Sequence, residues 1–182
     1  MNYSPLDTIV ATATPPGLGG VAIVRISGSE ALSILKMAVK NGQQKVWQAR
    51  RMYYCEIIDE YGQTIDKALA VYMPSPHSYT GEDVTEIHCH GGSVLASVIV
   101  DICLHYGARL AQPGEFTYRA FMAGKLDLAE AESVLSLIEA KSKSAVVLAA
   151  NNLNGAFSES LDKLRSDILD LIAQYELITV TK

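Results

Sequence analysis

The segment Thr80-Gly-Glu-Asp-Val-Thr-Glu-Ile-His-Cys-His-Gly-Gly92 gathers carboxylates and imidazoles on an alternating pattern that stops at a glycine pair. Read as a strand, it places Val84, Glu86, His88 and His90 on one face and Thr85, Ile87 and Cys89 on the other. Glu86 therefore points the same way as two histidines, beside backbone that Gly91 and Gly92 leave open to close approach. Carboxylates and imidazoles are costly to bury unpaired, so such a strand edges a pocket or meets solvent, and the chemistry it offers is recognition of a polar ligand. His88 and His90, with Glu86 as an oxygen donor, also invite a metal reading. No distal His or Cys pair completes the ligand set and second shell of a zinc site, however, so pocket-edge polar residues are the stronger reading and no metal is expected. Cys89 is not expected to act as a nucleophile, because both histidines face away from its thiol.

Two basic residues stand out elsewhere. Arg25 interrupts the apolar run Val21-Ala-Ile-Val-Arg-Ile-Ser27 and shares a face with Val21 and Ile23. By itself this guanidinium reads as a structural ion pair or a snorkelling edge residue. The segment from Pro113 to Leu128 turns at Pro113-Gly114, forms a short helix and breaks at Gly124 to present Lys125. An ammonium there either neutralises the helix C-terminus or reaches a ligand, and spacing leaves both open. Pro16-Gly-Leu-Gly-Gly20 invites a phosphate-loop reading, but it precedes a strand and lacks the following helix N-terminus that such loops use. No G-x-x-x-x-G-K-[ST] occurs in the sequence.

Mixed elements are expected to position these groups. Residues 8–14 and 21–27 read as strands split by a proline- and glycine-rich loop, and a helix follows over about 30–39 with Ser29 as its N-cap. Residues 51–59 and 64–73 read as a hairpin, 83–90 as the polar strand, 93–106 as an apolar helix and 108–111 as a short strand. From about Phe116 the pattern turns helical. Leu128, Ala131, Leu135 and Ile138 lie on three-four spacing, which resumes after Asn151–Gly155 at Phe157, Leu161, Leu164, Ile168, Leu171 and Tyr175. Two long helices so striped predict a helical hairpin or part of a bundle, whose apolar faces need each other, further sequence or a second copy.

Composition narrows the function classes. The 182 residues are 49% hydrophobic and 19% charged, which supplies a core and argues against wholesale disorder. A net charge of -5 gives no bulk attraction to nucleic acid, so any RNA contact needs a local patch or another subunit. Cys55, Cys89 and Cys103 lack C-x-x-C spacing and fit free thiols in a reducing cytosol. No apolar stretch approaches the roughly 20 residues of a membrane span. The opening Met1-Asn-Tyr-Ser-Pro5 lacks the regions of a signal peptide. The expectation is a cytoplasmic globular protein with no membrane partner.

Several separated motifs occur together in order: Asp7-Thr-Ile-Val-Ala11, Ala13-Thr-Pro-Pro-Gly17, Arg25-Ile-Ser-Gly28, Tyr79-Thr-Gly-Glu-Asp-Val84, His90-Gly-Gly92, Pro113-Gly-Glu-Phe116, Arg119-Ala-Phe121, Lys125-Leu-Asp-Leu-Ala129 and Asn154-Gly-Ala-Phe157. From about Asp7 to Glu176 the chain resembles the N-terminal part of the MnmE (TrmE) family of bacterial tRNA-modifying GTPases. The resemblance implies an α+β protein. A mixed-sheet folate-binding domain, akin to the aminomethyltransferase of glycine cleavage, would occupy residues 1–118 and mediate dimerisation. A partial helical domain would occupy 119–182. The implied cofactor is a one-carbon tetrahydrofolate, as the 5-formyl or methylene form, and the folate contacts carry over to Arg25, Glu86 and Lys125. A pterin edge offers adjacent donors that a carboxylate such as Glu86 accepts as a pair, and the anionic tail suits Arg25 and Lys125. No catalytic residue is assigned. The implied partners are a second copy, the flavoprotein MnmG with its FAD, and the tRNA whose wobble uridine receives an aminomethyl-type group. GTP, Mg and K belong to a G domain that this sequence lacks, so no GTPase activity is expected from the chain alone. The closing Leu177-Ile-Thr-Val-Thr-Lys182 differs from the family's acidic exit toward that domain, and the chain reads as a fragment. The alternatives are an interaction module with an incomplete folate site, or a free-standing aminomethyltransferase-like enzyme, which the short chain disfavours.

Overall fold

The computed structural model describes residues 7–180, with side chains through Glu176. The opening stretch read against a signal peptide and the last two residues of the closing segment lie outside the described residues. The chain divides into two compact units, one running to Lys125 and the other starting at Leu126.

In the first unit, the β-branched runs flanking the proline-glycine loop become β1 (Ile9–Thr12) and β2 (Val21–Ser27), antiparallel with Ala11 opposite Arg25. A hairpin follows, formed by β3 (Tyr53–Ile58) and β4 (Thr64–Met73). Its turn is closed by Asp59 Oδ1, which accepts from the amides of Tyr61 at 3.0 Å and Gln63 at 2.8 Å. The polar strand β5 (Val84–His90) inserts between β4 and β2, setting Glu86 opposite Arg25 and His88 opposite Ile23. A two-residue β6 (Arg109–Leu110), shorter than expected, joins β1 in parallel. Among the described residues this gives a six-stranded mixed sheet in the order β3-β4-β5-β2-β1-β6, and the protein is α+β.

Helices α1 (Ala31–Ala38) and α2 (Ser93–His105) pack against the sheet. The period-two alternation of β5 sends Thr85, Ile87 and Cys89 inward, where Ile87 and Cys89 join Val24, Ala70, Ile34, Ile99 and Cys103 in the core. Fully burying the Val and Ile side chains among them contributes about 1.5–3 kcal/mol each. All three cysteines are buried free thiols, and burial pushes Cys103 up to about 12. Helix α1 starts one residue later than expected, because Glu30 rather than Ser29 is the N-cap and no side chain caps it. The amide of Glu30 itself donates to Thr8 Oγ1 at 3.0 Å, a tertiary bond that holds the helix start.

A third helix, α3 (Glu115–Met122), closes the first unit. Its end is a Schellman motif: Gly124, in the left-handed region at φ 67, donates to the Phe121 carbonyl at 3.0 Å, and Lys125 donates to that of Ala120 at 2.9 Å.

The second unit holds three described helices, α4 (Leu128–Glu139), α5 (Lys143–Leu153) and α6 (Ala156–Val180), where the spacing predicted two long ones. The extra break comes at Ser142, whose hydroxyl caps α5 by accepting from the Ala145 amide at 3.2 Å. Helix α4 opens with a capping box, Asp127 and Glu130 each accepting from the other's amide, at 2.8 and 2.7 Å. Leu135, Ile138, Leu161, Leu164, Ile168, Leu171 and Tyr175 of the predicted stripes are exposed. Among the described residues no helix is long and apolar enough to cross a membrane.

A close backbone approach docks the proline-glycine loop. The Gly91 amide donates to the Gly20 carbonyl at 3.2 Å, and a Cβ on Gly91 would overlap the Gly19 carbonyl. Gly91→Ala is expected to destabilise the fold by about 1–3 kcal/mol, because two backbone segments have no rotamer with which to give way. Gly92, which faces open space in an extended conformation, should accept alanine with little change. Thermal melting of both variants checks this, and equal midpoints would refute the docking.

Candidate functional site

The β2–β5 register brings together two of the three residues expected at the site. Arg25 Nε donates to Glu86 Oε1 at 2.8 Å across the strand pair, with 27% and 14% of the two side chains exposed. The other carboxylate oxygen, Oε2, meets His88 Nε2 at 2.9 Å. Both oxygens of Glu86 thus have a protein partner, and each keeps a further lone pair. The Arg25 guanidinium reaches Glu86 through Nε, while its carbon lies 5.4 Å from the Tyr79 ring centre and 5.7 Å from that of Phe116. Tyr79 is tethered in turn by a 2.9 Å hydrogen bond between its hydroxyl and Thr117 Oγ1.

Lys125 reaches the neighbourhood by a different route. The Schellman motif sets it just past α3, and its stem runs over Gly81, where a Cβ would lie 3.6 Å from Lys125 Cγ. It is exposed and is not joined to Arg25 or Glu86 by a hydrogen bond. Lys125 and Tyr79 therefore both attach to the short loop that leads into β5. His90 is set apart from Glu86 despite sharing its face, since its amide and ring nitrogen go to Asp66 at 2.9 and 2.7 Å. Burial would raise the Asp66 carboxyl, but these hydrogen bonds and that of the Lys67 amide hold it below its ordinary value. Among the described residues no three His, Cys, Asp or Glu side chains converge as metal ligands.

Sequence reasoning missed the framework beneath these groups. Glu82 is bound to Arg119 Nη1 through both oxygens at 3.1 and 3.0 Å and to Ser27 Oγ at 2.7 Å. Arg119, with no exposed side-chain surface, also reaches Asp7 Oδ1 at 2.6 Å and Glu115 Oε1 at 3.1 Å. Arg109 completes the cluster with bonds to Asp7 Oδ2 at 2.8 Å and to both oxygens of Glu115. Asp83 fastens the same loop, accepting from the Tyr72 hydroxyl at 2.9 Å and the Ser75 amide at 2.8 Å. Burial and the Asp83 carboxylate together push Tyr72 up to about 12. The signal available in the sequence was the spacing Glu115–Arg119, one helical turn, which sets an acid and a base on one face.

The Pro16–Gly20 loop also reads differently in three dimensions. It lacks a following helix, yet it packs beside the start of α2, and together they line a cavity of about 490 Å³ with Thr12, Thr14, Gly92, Ser93 and Ser97. Arg25, Glu86 and Lys125 do not line it.

Residues 8–125 match the family described as "GTP-binding protein TrmE N-terminus". This chain belongs to that family. It is 47% identical over 173 residues to the tRNA modification GTPase MnmE of Fervidobacterium nodosum, covering 94% of this chain and 38% of that protein. MnmE of a Synechococcus strain is likewise 47% identical, over 93% of this chain and 38% of its own length. That of Levilactobacillus brevis is 44% identical, over 94% and 37%. The chain thus spans under two-fifths of the length of these relatives, and its family match covers the N-terminal region rather than a GTP-hydrolysing domain. Asp7, Glu82, Asp83, Glu115 and Arg119 form this framework, whereas Arg25, Tyr79, Glu86 and Lys125 are the candidate residues on the sheet face and beside its loop.

The framework has a pH signature. The Arg109 hydrogen bonds come first in holding Glu115 down to about 2 from an ordinary 4.5, and they likewise lower Asp7. A carboxyl depressed in the folded state stabilises the fold above its unfolded value, and that contribution is lost as pH falls through the folded one. Urea midpoints should therefore fall as pH drops from about 4.5 to about 2. Glu115→Gln should flatten this slope while lowering stability at pH 7, and parallel curves for the two proteins would refute the assignment.

Proposed function

We propose that the first unit binds a one-carbon tetrahydrofolate through Arg25, Glu86 and Lys125 and pairs with a second copy. On this reading the chain is the folate-binding, dimerising part of a larger tRNA-modifying GTPase that works with MnmG at the wobble uridine of tRNA. The observation that carries the reading is the Arg25–Glu86 pair, set across two central strands and walled by Tyr79 and Phe116. The residues fit the cofactor. Each oxygen of Glu86 has a lone pair left for the adjacent N–H donors of a pterin, and the guanidinium, engaged at Nε, keeps both terminal nitrogens for an acidic tail. Lys125 adds an exposed positive charge beside the adjoining loop, suited to the same tail. When bound, the folate supplies the one-carbon unit; the protein groups orient its ring and hold its charge.

The folate-binding and dimerising role, expected over residues 1–118, is assigned to the whole unit that runs to Lys125, since Arg119 and Lys125 belong to it. The buried free thiols fit a reducing cytoplasm. A second reading, an interaction module whose folate site is incomplete, draws on the exposed apolar residues Val21, Tyr54 and Leu69 near the site.

Calorimetry with 5-formyl-tetrahydrofolate tests the first reading. Glu86→Ala should weaken binding at least about tenfold, the effect of losing a charge-assisted hydrogen-bond pair, without changing the thermal midpoint greatly. Glu82→Ala should do the reverse, lowering the midpoint by removing a carboxylate from buried Arg119. Equal losses of affinity in the two variants would refute the assignment. Sedimentation velocity at micromolar concentration should show a dimer, and a purely monomeric profile would remove the self-association.

A further inference from the structure

His88 carries no assigned role, although it shares the face of Glu86 and ends within hydrogen-bonding distance of it. The last torsion of a glutamate is soft, so a carboxylate held at one oxygen still swings about that anchor. Arg25 Nε supplies one anchor, on Oε1 at 2.8 Å, and His88 Nε2 supplies the second, on Oε2 at 2.9 Å. With both in place the carboxylate plane is fixed. A flat ligand edge bearing two parallel N–H donors needs both oxygens in one plane at once, so the second anchor matters to that class of ligand in particular.

We propose that His88 is a positioning residue that fixes the plane of the Glu86 carboxylate for the amino-pyrimidinone edge of a reduced pterin. The proposal rests on the reading that Glu86 receives the ligand. The imidazole is well placed for this task. It is half-buried, lies opposite Ile23 and Leu69 in the strand register, and lines a small cavity of about 180 Å³ with Val21, Tyr54 and Lys67. The neighbouring imidazole does not compete for Glu86, because His90 is committed to Asp66. His88 acts through Glu86 and does not itself touch the ligand.

Glutamine and asparagine separate positioning from simple polarity. The amide nitrogen of glutamine reaches as far as Nε2 of histidine, whereas that of asparagine reaches only as far as Nδ1. The 182-residue chain and its Glu86→Ala, His88→Gln, His88→Asn and His88→Leu variants are titrated calorimetrically with 5-formyl-tetrahydrofolate and with its 2-desamino analogue. His88→Leu and His88→Asn should weaken binding of the parent ligand about fivefold, the loss of one hydrogen bond, while His88→Gln stays within about twofold of the unmodified chain. The 2-desamino analogue, with one donor removed, should bind the His88→Leu variant and the unmodified chain alike. If Glu86→Ala weakens binding but His88→Leu does not, or if asparagine restores affinity as fully as glutamine, the role of His88 is overturned and the reading of Glu86 stands. If Glu86→Ala binds as tightly as the unmodified chain, the folate reading at Glu86 fails and the role of His88 fails with it.

Discussion

A guanidinium taken out of water has to be met by acceptors, and the first unit is organised around that requirement at Arg119. Three carboxylate partners among the described residues come from separate stretches: Asp7 ahead of β1, Glu82 in the loop before β5, and Glu115 at the start of α3. Removing any one of them leaves buried charge less than fully compensated, so the stretches are coupled in free energy although they lie far apart in sequence. The loop fixed by Glu82 and Asp83 also carries Tyr79, which faces Arg25, and Gly81, over which Lys125 lies. The electrostatics of a group with no solvent exposure therefore set where Tyr79 and Lys125 stand.

The second constraint is the pleat of β5. A strand that alternates Thr85, Ile87 and Cys89 with Glu86, His88 and His90 can be inserted centrally only if one face is core and the other is not. Slipping the register by one residue would bury Glu86 and His88 under α1 and α2 and expose Ile87, and the cost of desolvating those groups unpaired forbids it. The same strand thus stabilises the sheet and displays the polar site, and the core residues on its back keep the register of the residues on its front.

Legibility in the sequence followed the range of the interactions. Glu86 and His88 sharing a face, the apolar face of β2 broken by Arg25, and the glycine stop that presents Lys125 are all local patterns, and the structure has each of them. The pairing of Arg25 with Glu86 was not readable without the register of β2 on β5, which depends on residues 61 positions apart. The role of Glu82 was not readable for the same reason, since its partner Arg119 lies 37 positions further on. Ser29 has the chemistry of a cap, but the helix starts one residue later, where Thr8, on the approach to the adjoining strand β1, holds the Glu30 amide. In the second unit the stripe ends at Ile138, within α4, and the expectation of two long helices passed over the polar run Lys141-Ser-Lys143, where α5 begins.

The proline-glycine loop shows why a motif's neighbours in space matter more than its neighbours in sequence. It lacks a helix of its own, yet Gly91 draws it onto the start of α2, so a cavity lined by glycines, by Ser and Thr and by apolar residues such as Leu18 and Val21 forms where the sequence offered only a turn. That cavity has volume but no charged side chain in its wall. Arg25, Glu86 and Lys125 have charge and direction, and they stay partly exposed on the sheet and its loop. Specific recognition of a small polar ligand needs both enclosure and a few convergent charged groups. On the proposed reading, self-association and ligand binding are therefore linked. A second copy covering the sheet face around Val21, Tyr54 and Leu69 would exclude water from the Arg25–Glu86–His88 group and strengthen each of its hydrogen bonds, whereas association through any other face would leave the group as wet as it is in the single chain.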